Sequence, residues 1–182
     1  MEHRTADELT AALEEIRKSP SAVGTVELIV RRPGEDEREV LDEGALDLAE
    51  GLLGDVWLAR GSKAMPDGSA NPDAQLTLMN ARAAEVITGS KDRWPLAGDQ
   101  LYVDLDLSIE NLPAGTRLAV GDAVVEVTPE PHTGCAKFSA RFGTEALKFV
   151  NKPPGRELRL RGVNARVVSP GPVRTGDTIS KL

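Results

Sequence analysis

The first hydrophobic positions of the chain follow the period of an α-helix. Leu9, Leu13 and Ile16 are spaced to share one helical face, and Thr5 and Glu8 stand ahead of them with the spacing of a capping box. The spacing predicts an amphipathic helix, which we assign to an N-terminal helical appendage over residues 1–20. We expect its apolar face to pack on the main body of the protein.

Beyond residue 20 the apolar positions indicate many short elements. Residues 45–53 predict a short helix, Asn80 is placed to cap another over residues 81–88, and Thr144 to cap a third. Five strand-like runs follow: QLYVDLDLS, TRLAV, AVVEVT, ELRLR and NARVV. Many short strands separated by turns favour a barrel or sandwich. For residues 21–182 we therefore predict a mainly β fold, a barrel-like core with a few short helices outside it.

Four Gly-Asp pairs lie beside the strand-like runs. They are Gly54-Asp55, Gly98-Asp99, Gly121-Asp122 and Gly176-Asp177. Glycine tolerates positive φ and aspartate favours turns, so each pair predicts a turn with positive φ or a tight hairpin.

Composition excludes several classes of protein. No window of the 182 residues approaches the roughly 20 apolar residues of a membrane helix, and the start has no apolar signal core, so we expect a cytoplasmic protein without membrane contact. A single cysteine, Cys135, and two histidines exclude an internal disulfide and cysteine- or histidine-rich metal sites within one chain. The acidic composition and the few aromatic residues argue against nucleic-acid binding.

Charge is unevenly distributed along the chain. The formal net charge is −7, yet residues 131–182 hold 10 basic and only 3 acidic side chains, a net charge of +7. The only cysteine and the only internal histidine, His132, both lie in this basic segment. The asymmetry points to residues 131–182 as the part of the chain that carries chemistry.

The stretch 128–143, TPEPHTGCAKFSARFG, concentrates the reactive side chains. A thiol reacts as its thiolate, which nearby positive charge from His132, Lys137 or Arg141 would favour. Gly134 would allow a substrate to approach the backbone beside Cys135 closely. A lone cysteine is more often a small buried hydrophobe, but this one lies in a loop between a glycine and a cationic run.

The order of motifs resembles the MOSC domain family, named after the C-terminal domain of molybdenum cofactor sulfurases. The main match is ENLPAGTRLAVGDAVVEVTPEPHTGC, residues 110–135. Residues 52–57, 75–87 and 159–177 resemble the flanking elements in family order, so the similarity covers roughly residues 22–180. The resemblance implies a β-barrel core and a stand-alone, single-domain member of the family.

The family's cysteine is matched here by Cys135, and the resemblance implies that it carries sulfur as a persulfide or ligates molybdenum. The persulfide is the role that we favour. A cysteine desulfurase or another donor would supply the sulfur, and a metal or molybdenum cofactor centre in a metalloenzyme would accept it. Pyridoxal phosphate enters only through desulfurases fused to larger relatives. His132 is our candidate for proton transfer or for orienting the thiol. Asn111, Lys137 and Arg161 are our candidates for contacts with an anionic cofactor, Asn111 alternatively serving only to fix a turn.

Two other functions stay open from the sequence. Cys135 would be a direct molybdenum ligand in a cofactor-binding protein that reduces N-hydroxylated substrates, a role that suits a soft thiolate. Compared with the family that it resembles, we expect this protein to be without the N-terminal extension that helps the fused relatives to hold the pterin. Alternatively, the protein is a non-catalytic binding module whose acidic N-terminal part docks a partner.

Overall fold

A computed structural model describes residues 3–182, and its centre is a closed β-barrel. The described residues form eleven strands: β1 (Val23–Arg31), β2 (Glu39–Leu41), β3 (Glu43–Asp47), β4 (Gly51–Leu52), β5 (Leu76–Asn80), β6 (Leu101–Asp104), β7 (Arg117–Val120), β8 (Ala123–Val127), β9 (Val163–Ser169), β10 (Gly171–Arg174) and β11 (Thr178–Lys181). Seven of them close the barrel in the order β1-β11-β7-β8-β9-β5-β6, with β6 returning to β1. Neighbouring strands are antiparallel except β5 and β6. The predicted barrel is confirmed.

Strands outside the barrel extend one side of it. Strand β2 adds to β1, and β3 pairs with β10 and β4 in a separate three-stranded sheet. The helix predicted over residues 45–53 is therefore wrong, because this segment is the β3–β4 hairpin. Asp47 accepts hydrogen bonds from the backbone N–H groups of Ala49 and Glu50, and Gly51 has φ of +73°. The side chain of Asp47 and the glycine together stabilise a turn where apolar spacing alone suggested a helix.

Six short helices surround the barrel in the described residues. They are α1 (Ala6–Ala11), α2 (Leu13–Arg17), α3 (Trp57–Arg60), α4 (Ala81–Thr88), α5 (Ala136–Phe142) and α6 (Thr144–Asn151). The predicted N-terminal helix is present as two pieces, α1 and α2, and its capping box at Thr5 and Glu8 is confirmed. The asparagine cap of α4 is confirmed as well. The predicted cap at Thr144 is wrong, because Gly143 precedes α6 and makes no side-chain bond.

The core has two parts, separated by the barrel wall. On β1, Val26 and Ile29 face the barrel interior, whereas Leu28 and Val30 face the layer of helices. Both faces of this strand are buried, which explains why its sequence does not alternate cleanly between apolar and polar residues. Leu9 and Ile16 of the N-terminal helices are buried in the helical layer, at 1% and 4% exposure.

Turn geometry confirms one expectation and corrects another. The glycines of all four Gly-Asp pairs have positive φ, between 55° and 93°. The run ELRLR was predicted as a strand, but residues 157–161 are a series of turns. Backbone N–H groups of Leu158 and Leu160 donate to the carbonyls of Pro154 and Gly155, and Arg159 has φ of +49°. These local hydrogen bonds replace a strand ladder, so the alternating pattern does not decide the structure there.

None of the helices within residues 3–182 has the length and apolar character that crossing a membrane would require.

Candidate functional site

The loop that follows β8 carries Cys135 to the start of α5. Cys135 occupies the capping position of that helix with extended backbone, and its thiol is exposed. Helix α6 holds the loop in place: the Asn151 side chain accepts from the Gly134 N–H at 2.8 Å and donates to its carbonyl at 3.0 Å. A Cβ on Gly134 would lie 2.8 Å from Leu147. We expected the missing side chain of Gly134 to leave room for a substrate. In the structure, that room is taken by Leu147 of helix α6.

Cys135 lines a cavity of about 450 Å³ that is rich in positive charge. Six cationic side chains share the lining: Arg32, Arg38, Arg60, Lys137, Arg141 and Arg161. Lys137 and Arg161, two of the predicted anion contacts, are thereby brought together with Cys135. Arg32, Arg38 and Arg60 were not predicted, because they come from the acidic first third of the chain.

Carboxylates neutralise only part of this charge. Asp55 binds Arg32 through two oxygens, at 2.9 and 2.8 Å, and the Asp55 side chain is fully buried. On the rim, Asp36 contacts Arg141 at 2.7 Å and Lys137 at 3.4 Å, and Lys137 also binds Glu35. Lys137 and then Arg141 hold the pKa of the Asp36 carboxyl below its usual value. With Asp99, described below, four carboxylates face six cations.

Two arginines carry the excess charge. Arg38 donates to the backbone carbonyls of Pro95 and Glu37. Within residues 3–182, no carboxylate lies at ion-pair distance from Arg38 or Arg60. Burial, together with the charges of Arg141 and Arg32, lowers the pKa of Arg38. The cavity therefore holds more positive charge than its own groups balance, which favours an anionic ligand or partner.

A buried cluster of Asp99, Arg161 and His132 lies beside the cavity. Asp99 is fully buried and accepts from Arg161 at 2.6 Å and from His132 Nε2 at 2.9 Å. Arg161 also donates to the Ala97 carbonyl and stacks on Phe138 at 5.1 Å. Its Nε is buried without a hydrogen-bond partner among the described residues. Arg161 itself is buried, at 7% exposure, and lies in a turn rather than in a strand.

The charges of this cluster set its protonation. Burial opposes ionisation of Asp99, but Arg161 and His132 outweigh it and hold the pKa of the carboxyl below its ordinary value. Burial, and then the charge of Arg161, lower the pKa of His132 despite the opposing effect of Asp99. Since Arg161 already balances Asp99, a second cation there is costly. His132 is thus neutral at pH 7 and donates its Nε2 proton to Asp99.

Two predicted site residues do not line the cavity of Cys135. His132 faces a neighbouring cavity that also includes Arg161. Asn111 lies after β6, where its amide donates to the carbonyls of Ser21 at 2.9 Å and Asp106 at 2.7 Å. These contacts fix the turn, which is the second of the two roles expected for Asn111.

The sequence contained a signal for the residues that were missed. Asp55 and Asp99 belong to two of the four Gly-Asp pairs, which we interpreted only as turns. In the structure these two aspartates are the buried partners of Arg32 and Arg161. An aspartate in a turn that becomes fully buried needs a cation as partner. The pairs with Asp55 and Asp99 were therefore a reason to look for arginine partners elsewhere in the chain.

The donor groups of the described residues limit what metal could bind. No group of three or more His, Cys, Asp or Glu side chains within residues 3–182 is arranged to hold a metal ion. A metal at Cys135 would need most of its ligands from a cofactor. The exposed thiol, the cavity and the unbalanced cations fit an anionic cofactor that brings its own metal ligands.

Comparison with known proteins gives one family and several solved structures. The family model of the MOSC domain matches residues 69–180. No curated protein matches. The YuaD protein from Bacillus subtilis superposes with a TM-score of 0.60 at 18% identity, covering 86% of this chain and 94% of that one. YiiM from Escherichia coli gives 0.55 at 18% identity, covering 87% and 69%. YiiM from Geobacillus stearothermophilus gives 0.52 at 14% identity, covering 89% and 73%. At these identities the likeness shows the fold.

Proposed function

The chain belongs to the MOSC domain family, and from this premise we propose that it is a sulfur carrier whose Cys135 receives and delivers sulfane sulfur. The observation that carries the proposal is the position of the thiol. It is exposed at the edge of a cavity with more cations than carboxylates. A structural cysteine would be buried among apolar side chains instead.

The loading of Cys135 needs no external oxidant or reductant. The Cys135 thiolate attacks the terminal sulfur of a donor persulfide; the new S–S bond forms as the old one breaks, and the donor leaves as a thiolate. In delivery, a nucleophilic acceptor takes the terminal sulfur and Cys135 returns to the thiolate. The cations of the cavity stabilise the anionic persulfide. Cys135 is the chain's only cysteine, so no second thiol of the same chain discharges it as a disulfide.

The partners follow from the chemistry of the two steps. The donor is a cysteine desulfurase or another protein that presents a persulfide on a flexible segment, because the acceptor thiol is exposed rather than enclosed. The acceptor is a metal or molybdenum cofactor centre of a metalloenzyme in its reduced state, which supplies the two electrons that convert the sulfane sulfur to a sulfide ligand. Both partners are expected to present negative charge at the point of contact, where Arg38 and Arg60 lack carboxylate partners among the described residues.

A second function is favoured by the size of the cavity. A persulfide adds one atom to Cys135, whereas the cavity measures about 450 Å³ and carries six cations. The MOSC family is associated with the molybdenum cofactor, which is anionic through its phosphate. In this alternative Cys135 is a molybdenum ligand, and Arg38, Arg60 and Lys137 hold the anionic groups. The cofactor would supply the redox chemistry for reducing N-hydroxylated substrates.

Mass spectrometry of the intact protein tests the two functions together. After incubation with a cysteine desulfurase and cysteine, the wild-type chain is expected to gain one sulfur atom, which a thiol reductant removes, and the Cys135→Ser variant to gain none. Protein expressed with molybdate is analysed for metal in parallel. Stoichiometric molybdenum lost in Cys135→Ser, without sulfur gain, would replace the carrier by the cofactor-binding function. If the wild-type chain gains no sulfur and contains no molybdenum, both functions are contradicted.

A further inference from the structure

A second cavity, of about 500 Å³, lies next to the cavity of Cys135. Residues 128–133 form one wall of it, and another is formed by the turns that carry Arg156, Arg159 and Arg161 together with the start of β9. The two cavities have only Arg161 in common, and Cys135 does not line the second one. The second cavity is thus separate from the cavity that holds the thiol.

The second cavity is also positively charged. Arg156, Arg159 and Arg161 line it, together with one carboxylate, Glu130. Arg161 is balanced by the buried Asp99. Across the part of the chain that the structure describes, neither Arg156 nor Arg159 has an ion-pair partner. The positive charges of Arg156 and Arg159 exceed the negative charge of Glu130 by one, and this excess favours a negatively charged ligand.

Arg159 is held in place without a carboxylate. Its Nη1 donates to the Leu112 carbonyl at 2.6 Å, and the residue is half-buried, which lowers the pKa of the guanidinium. Its backbone has φ of +49°, in the left-handed region that a non-glycine residue adopts at a cost. The fold thus accepts both local strain and partial burial of an unpaired charge to place Arg159 at this cavity. Such costs are typical of residues that meet a ligand.

The remaining lining suits an organic ligand. Ile109, Val150 and Val163 supply apolar surface, and Thr128 and Asn164 supply polar groups. A volume of about 500 Å³ lies within the usual range of small-molecule sites. An inorganic ion would leave these apolar side chains without a contact, whereas an organic ligand could pack against them.

We propose that this second cavity binds a small organic oxyanion, whose phosphate or carboxylate group is held by Arg156 and Arg159 and whose apolar body packs on Ile109 and Val163. Guanidinium groups bind both kinds of oxyanion through paired hydrogen bonds. The site is separate from the thiol, so ligand binding does not require Cys135.

Backbone amide shifts in a nitrogen–proton correlation spectrum locate the ligand. Phenyl phosphate and benzoate are titrated separately, and inorganic phosphate reports how much the apolar body contributes. We expect saturable shifts at Thr133, Gly162 and Asn164, tighter binding of the aromatic anions than of inorganic phosphate, and the same binding in Cys135→Ser. The tighter of the two aromatic anions identifies the charged group that the cavity prefers.

Arginine variants complete the test. Arg156→Gln should weaken binding about tenfold, the value of one charged hydrogen bond, and its exposed position leaves the fold intact. Arg159→Gln should weaken it at least as much. Arg117→Gln is the matched control, because Arg117 is exposed but lies outside the cavity. Shifts confined to Ala136 and Lys137, no saturation, or equal weakening by Arg117→Gln would overturn the proposal.

Discussion

The buried pair of Asp99 and Arg161 gives the sharpest prediction about this fold. Asp99→Asn keeps the shape of the side chain and an oxygen for the His132 Nε2–H, which lies 2.9 Å away, but removes the charge that balances Arg161. Arg161 would retain only the Ala97 carbonyl and the face of Phe138 as partners. A nearly buried guanidinium then lacks a counter-charge.

The size of the effect follows from the burial of both groups. The exposure of the two side chains is 0% for Asp99 and 9% for Arg161, and breaking such a pair typically costs about 3–5 kcal/mol. Because Asp99→Asn keeps the hydrogen bond to His132, we expect a loss near the lower end, about 3 kcal/mol. The melting temperature would fall by about 6–12 °C for a chain of this size. Arg161→Met, which strands the carboxylate, should cost at least as much.

Urea unfolding of both single variants and the double variant, followed by circular dichroism, measures the coupling. We expect the double variant to be more stable than the sum of the single effects predicts, by about 2–3 kcal/mol. The exposed pair of Arg174 and Glu43 is the matched control, since its N–O distance is also 2.6 Å. Glu43→Gln should cost less than about 1 kcal/mol. Additivity of Asp99→Asn and Arg161→Met within about 0.5 kcal/mol would refute the reasoning.

Three further predictions concern charge and packing. The folded-state pKa of His132 is lowered, so as pH falls below about 6.5 the unfolded chain binds a proton more readily than the folded chain does. Urea unfolding should therefore show stability decreasing on acidification, less steeply in His132→Gln. Lys137→Gln should slow alkylation of the thiol by anionic iodoacetate, relative to neutral iodoacetamide, about two- to fivefold, whereas Lys148→Gln leaves the ratio unchanged. Phe142→Ala, at a side chain 1% exposed, should cost about 3–5 kcal/mol in chemical unfolding. A flat pH profile, equal effects of both lysines, or a loss under 1 kcal/mol respectively would contradict these expectations.

Local patterns explain why the barrel could be predicted. Short apolar runs and positive-φ turn glycines act over a few residues, so the sequence reports them directly. The two wrong segments, 45–53 and 157–161, are places where side-chain or backbone hydrogen bonds override apolar spacing. Burial of β1 on both faces was visible only as an imperfect alternation, because the helices that cover it are distant in sequence.

The candidate site could be predicted only around its cysteine. Arg32 and Asp55 lie 23 residues apart, and Asp99 and Arg161 lie 62 apart. Such pairs form when the barrel closes and brings distant loops together, and no periodicity encodes them. Lys137 and Arg161 were found because they lie in the basic segment. Arg38 and Arg60 were missed because they lie in the first third of the chain, which is acidic overall.

The overall charge of −7 does not describe what a partner meets at Cys135. Exposed charges act over about 8–10 Å at physiological salt, so acidic side chains elsewhere on the surface contribute little at the cavity. Asp55 and Asp99 lie buried against their arginines, and Glu35 and Asp36 pair with rim cations. The local field is therefore set by the two cations without carboxylate partners in the described residues, and it is positive. An acidic protein can in this way present a cationic cavity, and a basic segment of sequence is only part of how it does so.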